Sequence, residues 1–220
     1  MSTRPHLKIS TSSLAVLRKS MFIPPMMPTM ALSPPVGPDW LHEVKLHGLR
    51  GQIHIENGSA ILYSRNGADI TKQFRAASST ILGIPVDSAI IDCELVACGS
   101  DGLPSSRPLN QVPTTCLWAF DLLYLNRNCM TAIPLSDRKA ALATLVAATN
   151  DPHLQFSGDF KDPIKLLQAC QIMHLEGIVS KRQVSSYRSG RTRDWLMVKT
   201  ENWHAPKPAR REMFRGQVSQ

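Results

Sequence analysis

The chain has no Cys-x-x-Cys pair; its five cysteines, Cys93, Cys98, Cys116, Cys129 and Cys170, are scattered. An odd, dispersed set in apolar surroundings predicts reduced, buried thiols rather than a disulfide framework. The seven histidines show no ligand spacing with them, which argues against a zinc site. No apolar run approaches the length of a membrane span, and Met21 to Leu32 is too interrupted by proline to be a signal-peptide core. These absences predict a soluble, cytoplasmic protein with no membrane partner. There is no internal repeat and no domain-scale linker, so 220 residues with 43% hydrophobic content predict one domain with a real core. Acidic residues are in deficit, 17 against 25 Lys and Arg, a net charge of +8. Such an excess favours a polyanionic partner, nucleic acid first, because cations gain affinity by releasing counterions from phosphates.

Residues 1–20 are polar and basic and read as a flexible N-terminus; 201–220 read as a basic tail that ends in a short helix and carries Arg210, Arg211 and Arg215. Met21 to Pro38 is rich in proline and predicts an extended lead-in laid over the domain surface. Trp40 to Leu46 alternates as a strand with two chemically distinct faces, and Gly48 permits a tight turn or a close backbone approach. Arg50 to Glu56 and Ser59 to Ser64 predict a hairpin, since Asn57-Gly58 suits a type I′ turn. A short helix is expected over Thr71 to Thr80. Strands follow at Ala89 to Ala97, where Asp92 and Glu94 share a face, and at Thr115 to Leu125, with Asp121 in its middle. Asp137 to Ala148 predicts a helix capped by Ser136, its apolar stripe running through Ala140, Leu142 and Leu145. Pro163 to His174 predicts a second helix capped by Asp162. Gly177 to Lys181 and Asp194 to Lys199 read as strands, joined by a loop over 185–193 that is rich in Ser and Arg.

Lys45 is the candidate nucleophile. A desolvated or cation-flanked ammonium loses its proton more easily and can then attack phosphorus. Lys45 with Gly48 and Arg50, Arg65-Asn66-Gly67, Asp92-Cys93-Glu94, Phe120-Asp121-Leu122, Glu176-Gly177-Ile178-Val179 and Asp194 to Lys199 occur in a fixed order. That series resembles the motifs of covalent nucleotidyltransferases, most closely the ATP-dependent DNA ligase domain of bacterial end-joining ligases. The texts PPVGPDWLHEVK and EGIVSKRQVSSYRSGRTRDWLMVK are similar to this branch rather than to RNA-capping enzymes, and the likeness covers residues 21–200.

The resemblance implies an α+β nucleotidyltransferase (ATP-grasp-like) domain of antiparallel sheets flanked by helices, with the nucleotide in the groove between the sheets. It also implies ATP and Mg²⁺ or Mn²⁺ as cofactors. Nicked or broken double-stranded DNA and an end-joining protein would be the partners, in repair or recombination on the bacterial nucleoid. Lys45 would carry AMP as a phosphoramidate, pass it to a DNA 5′-phosphate, and a 3′-hydroxyl would then seal the nick. By motif, Glu43 would accept from the adenine amino group, and Arg50 and Arg65 would contact ribose or the DNA phosphate. Phe120 would stack on the base, Lys199 would reach the nucleotide phosphates, and Glu94 and Glu176 would hold ribose or metal.

Three departures accompany the match. The family carries an aspartate where this chain has His47, and a lysine where it has Met197. Losing a carboxylate and a cation, if it raised the barrier by about 3–4 kcal/mol, would slow adenylation a few hundredfold. The ligases also continue into an OB-fold, whereas 21 residues follow Lys199, too few for a five-stranded barrel. Three readings remain: a DNA ligase, a degenerate relative that binds nucleotide or DNA ends without catalysis, and an RNA ligase or capping transferase.

Overall fold

The structure is a computed structural model that describes residues 22–99, 104, 109 and 114–201. The expectations for 1–20, for the tail beyond 201 and for Arg210, Arg211 and Arg215 lie outside them. Among the described residues ten strands and three helices run in the order β1 (Met26–Met30), β2 (Trp40–Lys45), β3 (Leu49–Glu56), β4 (Ser59–Ser64), α1 (Arg75–Leu82), β5 (Ser88–Cys98), β6 (Thr114–Leu125), β7 (Asn128–Cys129), α2 (Leu135–Thr149), β8 (Leu154–Phe156), α3 (Pro163–Ile172), β9 (Gly177–Arg182) and β10 (Gly190–Lys199).

They form two sheets. The smaller has the order β1-β10-β9-β2, and the larger runs β4-β3-β5-β6-β7, with β8 added to β6. Three apolar clusters set the layering. Leu49, Ile53, Ile91 and Leu117 of the large sheet bury against Ala77 and Ile81 of α1 and Leu142 and Leu145 of α2. Ile90 and Leu123 on its other face meet Met26, Val179 and Trp195 of the small sheet. Ile178 and Val198 on the back of the small sheet meet Leu166 and Cys170 of α3. The result is helix, sheet, sheet, helix. The α+β class and the sheets flanked by helices are as the resemblance implied. Most pairings are antiparallel, but β1 on β10 and β8 on β6 are parallel.

Local chemistry explains most elements. Asn57 and Gly58 take φ of 49° and 71°, the left-handed pair a type I′ turn needs. Asp162 accepts from the backbone N–H groups of Ile164 and Lys165, and Pro163 fills the first helical turn. Gly48 is required by close approach rather than by a turn: a Cβ there would lie 2.0 Å from the carbonyl oxygen of Leu95 on β5.

Several expectations need correction. The lead-in is not merely draped on the surface, because Met26 is fully buried and Met26–Met30 pair with β10. An edge position tolerates Pro28, which has no N–H to donate. The first helix begins at Arg75, not Thr71. The second begins at Leu135, so Ser136 lies inside it rather than capping it. Ala140 is exposed there, and its inward face carries Arg138 and Lys139. The final strand starts at Gly190, absorbing part of the expected loop. Cys129 is exposed, unlike the other four thiols.

Candidate active site

Period-two geometry gives the layer between the sheets an unusual composition. On β3, Leu49, Gly51, Ile53 and Ile55 face the helices, which leaves Arg50, Gln52 and His54 facing the small sheet. The β3–β5 register puts Arg50 opposite Glu94 and Gln52 opposite Asp92, so both carboxylates enter the same layer. From the small sheet, Glu43, Lys45, Lys181, Trp195 and Lys199 approach it.

The strand ends set the first group. Lys45 pairs with Gly177, and Gly177 pairs with Lys199, so Glu176 emerges between the two lysines. Glu176 lies 3.5 Å from Lys45 Nζ, 3.7 Å from Lys199 Nζ and 3.6 Å from His47 Nδ1. Only glycine fits at 177, where φ is +146° and a Cβ would meet the Val198 carbonyl oxygen at 2.1 Å. Burial would raise the Glu176 carboxyl, but His47, Lys45 and Lys199 hold it below the ordinary glutamate value. Glu94 goes the other way. Its burial outweighs the attraction of Lys45 and Arg50, and Glu176 and Asp92 add like-charge repulsion, so its carboxyl is raised. Lys45 also donates to the Leu46 carbonyl at 2.6 Å.

The second group is centred on Glu43, which is 3% exposed. Lys139 donates to Oε1 at 2.8 Å; Lys181 and Ser157 donate to Oε2, each at 2.9 Å. Burial alone would raise this carboxyl, but Lys181 and Lys139 hold it below its usual value. Lys181 is itself lowered by burial, against the pull of Glu43. Its ammonium sits 4.6 Å from the centre of the Phe120 ring and 4.4 Å from that of Trp195, within cation–π range.

A third group is structural. Arg50 grips both oxygens of Asp92, at 3.0 and 2.6 Å, and donates to the Met26 carbonyl. Tyr187 also donates to Asp92, at 2.6 Å, and accepts from the Met26 N–H. Behind them Arg138 holds both oxygens of Asp121, both residues being fully buried, and also donates to the carbonyls of Ile133 and Ser185.

Lys45, Glu94, Glu176 and Lys199 are therefore brought together. Glu43 and Phe120 sit deeper in the same layer, joined by Lys181. Arg50 borders them, 5.2 Å from the centre of the Phe120 ring, but with its donors turned inward. Arg65 is exposed on the turn after β4 and stands outside these groups. Lys139 and Lys181 were not singled out by sequence. The signal for Lys139 was a cation on the apolar face of α2, and that for Lys181 a strand position alternating with Val179. Among the described residues no cluster of three or more metal-ligating side chains forms. The Glu94–Glu176 pair nevertheless suits Mg²⁺, which commonly takes one or two carboxylates plus substrate phosphates.

Comparison with known proteins gives the family. Residues 28–199 match the family model of the ATP dependent DNA ligase domain. The chain is 30% identical over 187 residues to the multifunctional non-homologous end joining protein LigD of Pseudomonas aeruginosa, which covers 82% of this chain and 22% of that protein. It is 33% identical over 171 residues to LigD of Mycobacterium bovis, covering 75% and 22%. The chain thus spans about a fifth of the length of these relatives. A solved structure of mycobacterial DNA ligase D complexed with ATP and MES superposes with a TM-score of 0.70 at 27% identity, over 80% of this chain and 59% of that one.

Proposed function

The chain belongs to the ATP-dependent DNA ligase domain family, and from that premise we propose that it forms a lysyl-AMP intermediate on Lys45 and seals 3′-hydroxyl/5′-phosphate nicks in DNA. The observation that carries the proposal is the meeting of Lys45, Glu176, Lys199 and Glu94 at the ends of β2, β9 and β10. Lys45 Nζ, once deprotonated, attacks the α-phosphorus of ATP; a P–N bond forms, the P–O bond to the β-phosphate breaks, and pyrophosphate leaves. A DNA 5′-phosphate oxygen then displaces Lys45 from that phosphorus. Finally the 3′-hydroxyl attacks the DNA phosphorus and AMP departs.

At pH 7.4 only about one free lysine in a thousand is neutral, so the pocket must take the proton or favour its loss. Glu176, ionised and 3.5 Å away, holds the Lys45 ammonium in place, and the cations that flank Lys45 favour loss of its proton to solvent. Lys199 offsets charge on the phosphates, where positioning and electrostatics are the main sources of rate. Glu94 and Glu176 would hold Mg²⁺ or Mn²⁺, which supplies charge neutralisation on the triphosphate. Phe120 provides the stacking surface for adenine. A carboxylate has about four lone-pair directions; Glu43 uses three internally, leaving one for the adenine amino group. Arg65, exposed, is left for the DNA phosphate, while Arg50 braces Asp92 and the lead-in strand. Nicked or broken duplex DNA is the substrate, in end-joining repair or recombination with a partner protein, on the nucleoid in the cytoplasm. No helix among the described residues is long and apolar enough to cross a membrane.

His47 on Glu176 favours a second reading, nucleotide or end binding without adenylation, because it competes for the carboxylate beside Lys45. One assay separates the two. With ATP and Mg²⁺, intact-mass spectrometry should show one added AMP that disappears in Lys45→Ala. A folded protein that stays unmodified would overturn the ligase proposal in favour of binding alone.

A further inference from the structure

The end of the large sheet remote from Lys45 and Glu94 holds a cavity that the chemistry above does not use. Its volume is about 350 Å³, within the range of small-ligand sites. His54 and Ile90 are buried in it, Ile61 and Tyr124 are half-buried, and Glu56, Asp87 and Arg127 are exposed at its mouth. His54 pairs with Ile61 on β4 and with Ile90 on β5, and Ile90 pairs with Tyr124 on β6, so the four side chains share one face. The β3–β5 register runs unbroken from Leu49 opposite Leu95 to Glu56 opposite Ser88. Glu56 is thus about 20 Å along β3 from Arg50, and the cavity stands apart from the Lys45 group.

The hydrogen bonds around His54 fix which nitrogen carries the proton. Gln52 is oriented by the lead-in segment: its amide nitrogen donates to the Ile23 carbonyl at 2.9 Å, and its Oε1 accepts the Ile23 N–H at 3.1 Å. That oxygen lies 2.8 Å from His54 Nε2 and can only accept, so Nε2 holds the hydrogen. His54 is 9% exposed, and burial lowers it to about 4. The ring therefore stays neutral, and Nδ1, on the edge turned away from Gln52, keeps its lone pair. Among the described residues no donor reaches Nδ1. A buried acceptor of this kind calls for a bound group that carries N–H or O–H.

Charge narrows the class. Two carboxylates against one arginine leave the lining at −1, in a chain whose net charge is +8. Among the described residues neither Glu56 nor Asp87 has an ion-pair partner. A phosphate is disfavoured there and a cation favoured. Ile61 and Ile90 add an apolar wall, and Tyr124 a ring face that attracts cations. We propose that this cavity binds a small organic cation, a primary amine on an apolar body. Its ammonium donates to His54 Nδ1 and is neutralised by Glu56 and Asp87, while its body lies on Ile61, Ile90 and Tyr124.

The test follows the imidazole nitrogens of the full chain by NMR while benzylammonium chloride is added, with benzyl alcohol as the neutral isostere. The free protein should show His54 as the Nε2–H tautomer. The amine should move its Nδ1 signal upfield and saturably, with a Kd of about 1–10 mM. The alcohol should bind about tenfold more weakly, lacking the charge-assisted hydrogen bond. Glu56→Gln/Asp87→Asn should weaken the amine about fivefold and leave the alcohol and the thermal melting unchanged, both side chains being exposed. No saturable movement would overturn the proposal. So would equal affinity for the alcohol, amine binding untouched in the double variant, or inorganic phosphate moving the same signal. The AMP adduct is read separately, and a wild type that forms none but binds the amine would lose the ligase reading and keep this site.

Discussion

The consequence of His47 is local. It stands where the family carries an aspartate, and the structure directs it to Glu176, the carboxylate that also faces Lys45 and Lys199. Met197 removes a second charge two residues before Lys199. Restoring both, with His47→Asp and Met197→Lys, should raise the single-turnover rate of AMP adduct formation by up to a few hundredfold, equivalent to about 3–4 kcal/mol. An unchanged rate would mean that neither position limits the first step. Lys45, Glu94, Glu176 and Lys199 were legible in the sequence through the ordered motifs of the resemblance, and the structure brings them together. Lys139 and Lys181 were not, since a lysine that neutralises a buried glutamate looks like any other lysine until the glutamate's surroundings are known. The structure shows both reaching Glu43, with Lys139 contributed by a helix 96 residues later in the chain.

At the scale of elements, glycines decide how closely the strands that carry the site approach one another. Gly48 leads from β2 into β3 beneath the backbone of β5. Gly48→Ala would drive a methyl into the Leu95 carbonyl, and that neighbour is backbone rather than a flexible side chain. We expect a loss of about 3 kcal/mol or more in urea unfolding. A loss near zero would show that β5 shifts freely, and with it Glu94. Strand and helix positions followed from alternation, the Asn57-Gly58 turn and the Asp162-Pro163 cap. Errors fell at boundaries decided by tertiary pairing. Gly190 to Thr192 became strand because β1 offers them a partner, and Met26 to Met30 became strand for the reciprocal reason.

For the whole molecule, a charged layer between two sheets makes stability depend on pH. His54 in that layer is lowered by burial to about 4. Its folded value lies below the free value of about 6.5, so as pH falls beneath 6.5 the unfolded chain binds a proton that the folded chain refuses. Stability from this group is complete above pH 6.5 and declines toward pH 4. Between pH 6.5 and 5 the loss should be about 2 kcal/mol in urea titrations, and His54→Gln should remove much of it. His42, lowered by burial against Asp159 and Asp162, acts in the same direction. A wild-type stability flat across that range would contradict the assignment. Alternation and turn chemistry are properties of neighbours along the chain, and from them came the hairpin and the cap on α3; the α+β class and the choice of Glu94, Glu176 and Lys199 beside Lys45 came from what the resemblance of the ordered motifs implied. Pairings across the fold did the rest. Two strands must first align before Glu176 can lie between Lys45 and Lys199, or Arg50 can close on Asp92. Burial strips an aligned charge of its water, so it stays ionised only beside a partner that a distant segment supplies, and a local pattern carries no record of which segment that is.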